Sequence, residues 1–339
     1  MATRSTRSGS RRHRDFAARF AVRAAVAAPS VHNTQPWYFV SHQGVIGLCA
    51  DPRRGLPLAD PAGREMVISC GAALFNLRLA VRHLGFADDV RLLPDPSRPN
   101  LLAEIRWGRY VAPSRYGELL FSSISRRHTH RGAFTEQAPP LLIGELSKLA
   151  REERAELHII YDAGQHRPLA DLIRAAELAQ RANPGFDAEL ARWSPPPRSV
   201  RADGVPPAAY PRQPDGLEFT TRDFARGEGW GYPTHSLRDG RHALGMVMLL
   251  ATRDDSRLGW LLAGQALERI LLHVTAHSVK AAFHTQPLEL AAPREQIRRY
   301  FTDGAYPQML LRLGSGGRCG VTPRRQVTHT LIEDDIRQS

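Results

Sequence analysis

The chain has 339 residues, 42% hydrophobic and 24% charged, with a formal net charge of +12. That is the composition of a globular protein with room for two domains, or for one large domain with insertions. No apolar run reaches the roughly 18 residues of a membrane span and no signal-peptide core is present, so a cytoplasmic protein without a membrane partner is expected.

The first 14 residues carry Arg4, Arg7, Arg11, Arg12 and Arg14 and read as a disordered basic tail. The remaining arginines are scattered with no zinc-finger, RRM or KH pattern, so the charge implies no specific nucleic-acid partner. From Asp15 to Ala28 the apolar positions Phe16, Phe20, Ala21, Ala24 and Ala27 repeat with a helical period, and Pro29 ends the run. A loop over Ser30–Pro36 precedes two short strands, Trp37–Val40 and Val45–Leu48. Glu65–Leu84 is a long apolar helix closed by Gly85. Strands are expected at Val90–Leu93 and Leu101–Trp107, and a helix at Tyr116–Ser125.

A second set follows Arg131. Pro139-Pro140 opens a helix over Leu141–Ala150, then come a strand at Leu157–Tyr161 and a helix over Arg167–Arg181. Residues 183–241 are rich in Pro, Gly and aromatics, with Trp193, Trp230 and Tyr232 among them. So long a segment with little regular structure is usually a lid, a binding loop or a linker. Its aromatics favour a lid, with those three rings stacked near a bound ligand. Order resumes with a strand at Leu244–Ala251, a long helix Gly259–Val279, a short helix near Glu295–Phe301 and a strand at Gln308–Leu313. The pattern is α+β, with helices against mixed or antiparallel sheets in two units. The units are expected over 15–115 and 116–327, with a tail over 328–339.

Cys49, Cys70 and Cys319 are far apart and support neither a disulfide framework nor a zinc site. His273 and His277 are spaced to share a metal, but no Glu follows His273 and no third ligand is evident, so no metal site is expected. Ser122, Ser123 and Ser125 have no assigned base, which sets serine hydrolysis aside.

The loop Ala28-Pro29-Ser30-Val31-His32-Asn33-Thr34-Gln35-Pro36-Trp37 concentrates a hydroxyl and two amides in one turn. Side-chain amides both donate and accept, which suits a heterocycle with adjoining C=O and N–H edges; such a turn also satisfies its own backbone in many proteins. The segment A-P-S-x-x-N-x-Q-P-W resembles the signature loop of the FMN-dependent nitroreductase family at every fixed position. In that family the loop reaches across a homodimer interface to the flavin of the other subunit. The family's R-x-S-x-R/K phosphate segment finds its better match downstream, at Arg127-His128-Thr129-His130-Arg131, where guanidiniums and a hydroxyl suit phosphate oxygens. Thr285-Gln286-Pro287-Leu288 falls where the family has the loop beside the flavin's reactive edge. Arg324-Arg325 falls where a further basic pair meets the phosphate.

Each half keeps what the other lost, an arrangement that resembles the single-chain, Acg-like branch of the family. The resemblance implies two fused nitroreductase-like units forming an intramolecular pseudo-dimer, monomeric in solution, with one composite FMN site. Its cofactor-binding residues would be Pro29, Ser30, Asn33, Gln35, Arg127, Thr129, Arg131, Thr285, Gln286, Pro287, Leu288, Arg324 and Arg325. NAD(P)H would be the electron donor and a nitroaromatic, quinone or similar small molecule the acceptor. No side chain is required as nucleophile or general base. The alternative is a non-enzymatic FMN store whose lid closes the site.

Overall fold

The computed structural model describes residues 16–212, 219–233, 243–317 and 320–333. The basic tail expected over 1–14, Cys319, parts of the 183–241 insertion and the last six residues lie outside them.

A helix whose described part spans 16–25 (α1) leads into the Pro29–Trp37 turn. The first sheet follows, from β1 (Trp37–His42), β2 (Val45–Ala50), β3 (Phe86–Leu92) and β4 (Leu101–Tyr110). His42 pairs with Val45, leaving a two-residue loop in which Gln43 and Gly44 both have positive φ, 47° and 81°. That is the turn geometry whose twist matches the flanking strands. With the edge strand β10 (Leu331–Glu333), the sheet order is β10-β1-β2-β4-β3. This edge strand comes from the far end of the chain and pairs parallel with β1 through Phe39 and Leu331. The sequence placed those residues in a tail; three residues are too few to show an alternating pattern, and only the exposed edge of β1 gives them a partner.

The second sheet holds β5 (Phe134–Gln137), β6 (Glu156–Ile160), β7 (Met246–Thr252), β8 (Lys280–Phe283) and β9 (Tyr306–Gly316). β9 pairs antiparallel with β7, with β8 on the side opposite β7, and at its C-terminal end with β5. β5 and β8 have four residues each and were not legible as strands. The remaining helices are α2 (Arg64–His83), α3 (Arg115–Ser123), α4 (Pro140–Glu152), α5 (Ala163–Ala182), α6 (Pro184–Arg192), α7 (Arg257–Ala276) and α8 (Ala291–Phe301). α6 lies inside the insertion that the sequence read as irregular. Asn183 caps it, accepting a hydrogen bond from the Gly185 N–H at 2.9 Å.

Two α+β units result, each a sheet covered by one long helix. α2 and α7 are buried around most of their circumference, as helices enclosed on every side must be. Each packs on its own sheet and on the other helix, so the cores interpenetrate: Leu261 and Leu272 of α7 join the core over the first sheet, and Ile68 of α2 joins the core over the second. Glycines permit this crossing. A Cβ on Gly264 would stand 2.8 Å from Gly71 Cα and closer still to the Ile68 carbonyl oxygen. Cys49 and Cys70 are buried and unbridged.

Candidate functional site

Where α2 and α7 cross, a cleft opens between the halves, with a cavity volume of about 110 Å³. Its walls come from both. Pro29, Ser30, Val31 and His32 form one side, with Glu65, Ile68 and Ser69 of α2; Thr129, Arg131, Leu267, Phe283, Thr285 and Gln286 form the other. Thr221, Arg222 and Phe224 of the insertion cover it. Glu65, Ile68 and Ser69 share a helix face because they are three and four residues apart. The positions on α7 that precede Gly264 as these precede Gly71 are Leu258, Leu261 and Leu262, all apolar. The polar half of the cleft is not repeated there.

The Pro29–Trp37 turn is tightly wound, with positive φ at His32 (47°), Asn33 (54°) and Gln35 (50°). Ser30 Oγ accepts from the Gln35 N–H at 2.9 Å. The two amides expected at the ligand face the protein instead. Asn33 Nδ2 donates to the carbonyls of Gly204 and Pro323 at 2.8 and 3.1 Å, and its Oδ1 accepts from Arg324 at 2.9 Å. Gln35 Nε2 donates to the Ala202 carbonyl and its Oε1 accepts from the Arg325 N–H, both at 2.8 Å. These amides fasten the turn to the insertion and to the C-terminal segment, and neither residue lines the cleft. A sequence shows that an amide is present but not which polar backbone the fold will bring to it.

At the basic end, Thr129 and Arg131 line the cleft. The Arg131 guanidinium lies 5.5 Å from the centre of the Phe224 ring. Arg127 sits behind, buried, donating to the Ala27 carbonyl at 3.3 Å with its Nε 3.8 Å from Glu268 Oε1. Arg324 donates to the same Ala27 carbonyl. Burial, then Arg127 and Arg131 nearby, hold the Arg324 guanidinium down to about 9. Burial pushes the Glu268 carboxyl up to about 7 against the pull of Arg127. Positive charge crowded at a buried end favours an anionic occupant. Arg325 points elsewhere, donating to the carbonyls of Gln35, Trp37 and His329.

Thr285 and Gln286 also line the cleft, while Pro287 and Leu288 are buried. The Leu288 N–H bonds the Thr285 carbonyl and Pro287 has none to give. Among the described residues, no backbone acceptor is found for the N–H groups of Thr285 and Gln286.

This loop and the cover are locked together. Arg222 donates to Glu289 Oε1 at 2.6 Å and to Gln180 Oε1 at 3.0 Å. Glu289 also accepts from Gln180 Nε2 and the Thr285 hydroxyl. The aromatics expected over the ligand lie elsewhere: Trp193 packs on Leu56 and Ala59, Trp230 packs against the cluster of Tyr210 and Phe224, and Tyr232 pairs with Pro211. Of the insertion's aromatic rings, Phe224 lines the cleft.

Sequence reasoning missed Glu65, Ser69, His32, Arg222 and Phe224. A charged residue at the start of an otherwise apolar helix was the one available signal. Burial, then the charge of Glu289, pushes the Glu65 carboxyl up to about 8, although Arg64 donates to it at 2.8 Å. A folded-state value above the unfolded one means that stability is present below the ordinary carboxylate pKa and lost as pH rises through about 8. Glu65→Gln is expected to flatten that alkaline decline, measured as urea midpoints at about pH 6 and about pH 9. An unchanged slope would show that Glu65 is ionised throughout.

Comparison with known proteins decides the lineage. Over 322 residues the chain is 33% identical to a Mycobacterium tuberculosis H37Rv protein named "Putative NAD(P)H nitroreductase Rv3131", covering 93% of this chain and 91% of that one. The chain belongs to the nitroreductase family. A second relative from the same strain, named "Putative NAD(P)H nitroreductase acg", is 28% identical over 330 residues, 93% of this chain and 96% of that protein. Among solved structures, a nitroreductase-named protein of Anabaena variabilis is 11% identical with a TM-score of 0.46, covering 86% of this chain and 82% of its own. The FMN-dependent nitroreductase NfnB of Mycobacterium smegmatis, solved with NADPH, is 13% identical with a TM-score of 0.38, covering 63% and 97%. No family model matches the chain. Among the described residues, no helix of this chain is long and apolar enough to cross a membrane.

Proposed function

We propose that this chain binds one FMN in the cleft between its halves and acts as an NAD(P)H-dependent oxidoreductase on an electron-poor small molecule such as a quinone or nitroaromatic. The observation that carries the reading is the polarity of the composite cleft. It has a basic end at Thr129 and Arg131, backed by Arg127 and Arg324, and an N–H-bearing edge at Thr285 and Gln286. An anionic tail and a planar ring with acceptor atoms fit those two ends. Held by Thr129, Arg131, Thr285 and Gln286, FMN would supply the redox chemistry. The chain's residues hold the phosphate, orient the ring and exclude water. The pairing of halves within one chain supports a monomer.

The test is to load purified protein with FMN, quantify the flavin released by heat, and follow NAD(P)H oxidation with a quinone or nitroaromatic acceptor. One flavin per chain with turnover is expected. Two per chain, or none, would overturn the composite site.

Arg131→Ala separates the two ends of the ligand. A charge-assisted contact of about 1.5–3 kcal/mol corresponds to roughly a ten- to hundredfold loss of FMN affinity. Riboflavin, which lacks the phosphate, is expected to bind as before; equal losses would place this guanidinium away from the phosphate.

A second reading has its own observation. Arg222 ties the cover down through a buried ion pair, its side chain 10% exposed and that of Glu289 0%. A cover so held favours a closed store of FMN that nicotinamide does not reach. Bound flavin that dithionite reduces and NAD(P)H does not would establish this reading over the first.

A further inference from the structure

We propose that His32 is a ligand-reading residue of the cleft, its imidazole hydrogen-bonding the polar edge of the planar heteroaromatic ring seated beneath Phe224. This rests on the FMN reading and deepens it, because the edge in question carries adjoining C=O and N–H groups.

His32 lines the cleft, yet it is only 8% exposed. Neither ring nitrogen has a hydrogen-bond partner among the described residues. A buried imidazole with both nitrogens unpartnered is unfavourable unless something else occupies them. Its backbone sits at φ 47° and ψ 21°, a left-handed conformation that non-glycine residues rarely adopt and that gathers at functional sites. The turn is held there by the bonds of Ser30, Asn33 and Gln35. Phe224 of the cover meets the imidazole edge-on, with ring centres 5.8 Å apart, which leaves the ring packed but its nitrogens unsatisfied.

The chemistry of the group is set by its surroundings. Burial, then the Arg222 guanidinium, hold the imidazole down to about 3, with Glu289 opposing and Arg131 adding to the effect. At neutral pH the ring therefore offers one N–H donor and one acceptor nitrogen, the complement of a C=O beside an N–H. Its neighbours Arg131 and Arg222 are always charged and only donate, so they do not replace it.

Two substitutions separate ligand reading from packing. His32→Phe keeps an aromatic ring against Phe224 and removes both nitrogens; His32→Gln keeps a donor and an acceptor without the ring. Affinities for FMN and riboflavin are measured by flavin fluorescence. His32→Phe is expected to weaken both flavins equally, on the order of tenfold, the loss of one buried hydrogen bond, while His32→Gln retains most of the affinity. In wild-type protein the His32 imidazole nitrogen resonances are expected to shift when FMN is added. His32→Phe binding as tightly as wild type, His32→Gln losing as much as His32→Phe, or unmoved nitrogen resonances would each overturn the proposal while leaving FMN binding intact. Wild-type protein that binds neither flavin would overturn the parent reading, and this one with it.

Discussion

Gly264→Ala is expected to destabilise the protein by about 3 kcal/mol, at the upper end of what overpacking a well-packed core costs. The added Cβ would meet backbone on every side: 2.8 Å from Gly71 Cα, 2.9 Å from the Ala72 nitrogen and closer to the Ile68 oxygen. No side chain can rotate away to relieve this, so α2 and α7 must separate. The separation also moves Ile68 and Ser69 against Leu267, which wall the cleft, so flavin affinity should fall along with stability. Urea denaturation with and without FMN measures both. A variant that melts like wild type would show that the helices do not cross at this glycine. Gly71→Ala is expected to behave alike, because its Cβ would lie 2.9 Å from Gly264 Cα.

Arg222→Ala is expected to cost about 3–5 kcal/mol, the loss seen when one partner of a buried ion pair is removed and the other is left uncompensated. Glu289 is fully buried beside it. Burial pushes the Glu289 carboxyl up, but Arg222, then His32 and the Thr285 hydroxyl, leave it below its ordinary value. Its contribution is therefore present above the unfolded carboxylate pKa and lost as pH falls through the folded one. The gap between wild type and variant should accordingly narrow in acid. Because Arg222, Thr221 and Phe224 cover the cleft, the variant should also release FMN faster and admit NAD(P)H more readily. Thermal melts across acid pH and stopped-flow flavin release check these outcomes. An unchanged release rate would show that the 219–226 segment does not gate the site.

The sequence by itself determined the α+β class, the long central helices and the two segments, Pro29–Trp37 and Arg127–Arg131, that contribute residues to the cleft. Those features rest on local signals: the helical period of Glu65–Leu84, the Pro29–Trp37 turn and the Arg127–Arg131 segment. Tertiary structure alone decided which side chains face the cleft. Asn33 and Gln35 turn to carbonyls of Gly204, Pro323 and Ala202, groups distant in sequence that only the folded chain brings near. Glu65 and Ser69 reach the cleft because α2 presents one face to α7 at a glycine crossing, and no local pattern encodes the partner of that face. Phe224 rather than Trp193 lines the cleft because the insertion is anchored by Arg222 on Glu289, while Trp193 finds Leu56 and Ala59. Periodicity and turn chemistry act over a few residues and survive in the sequence; the direction of a buried side chain depends on long-range contacts and emerges only when the halves meet.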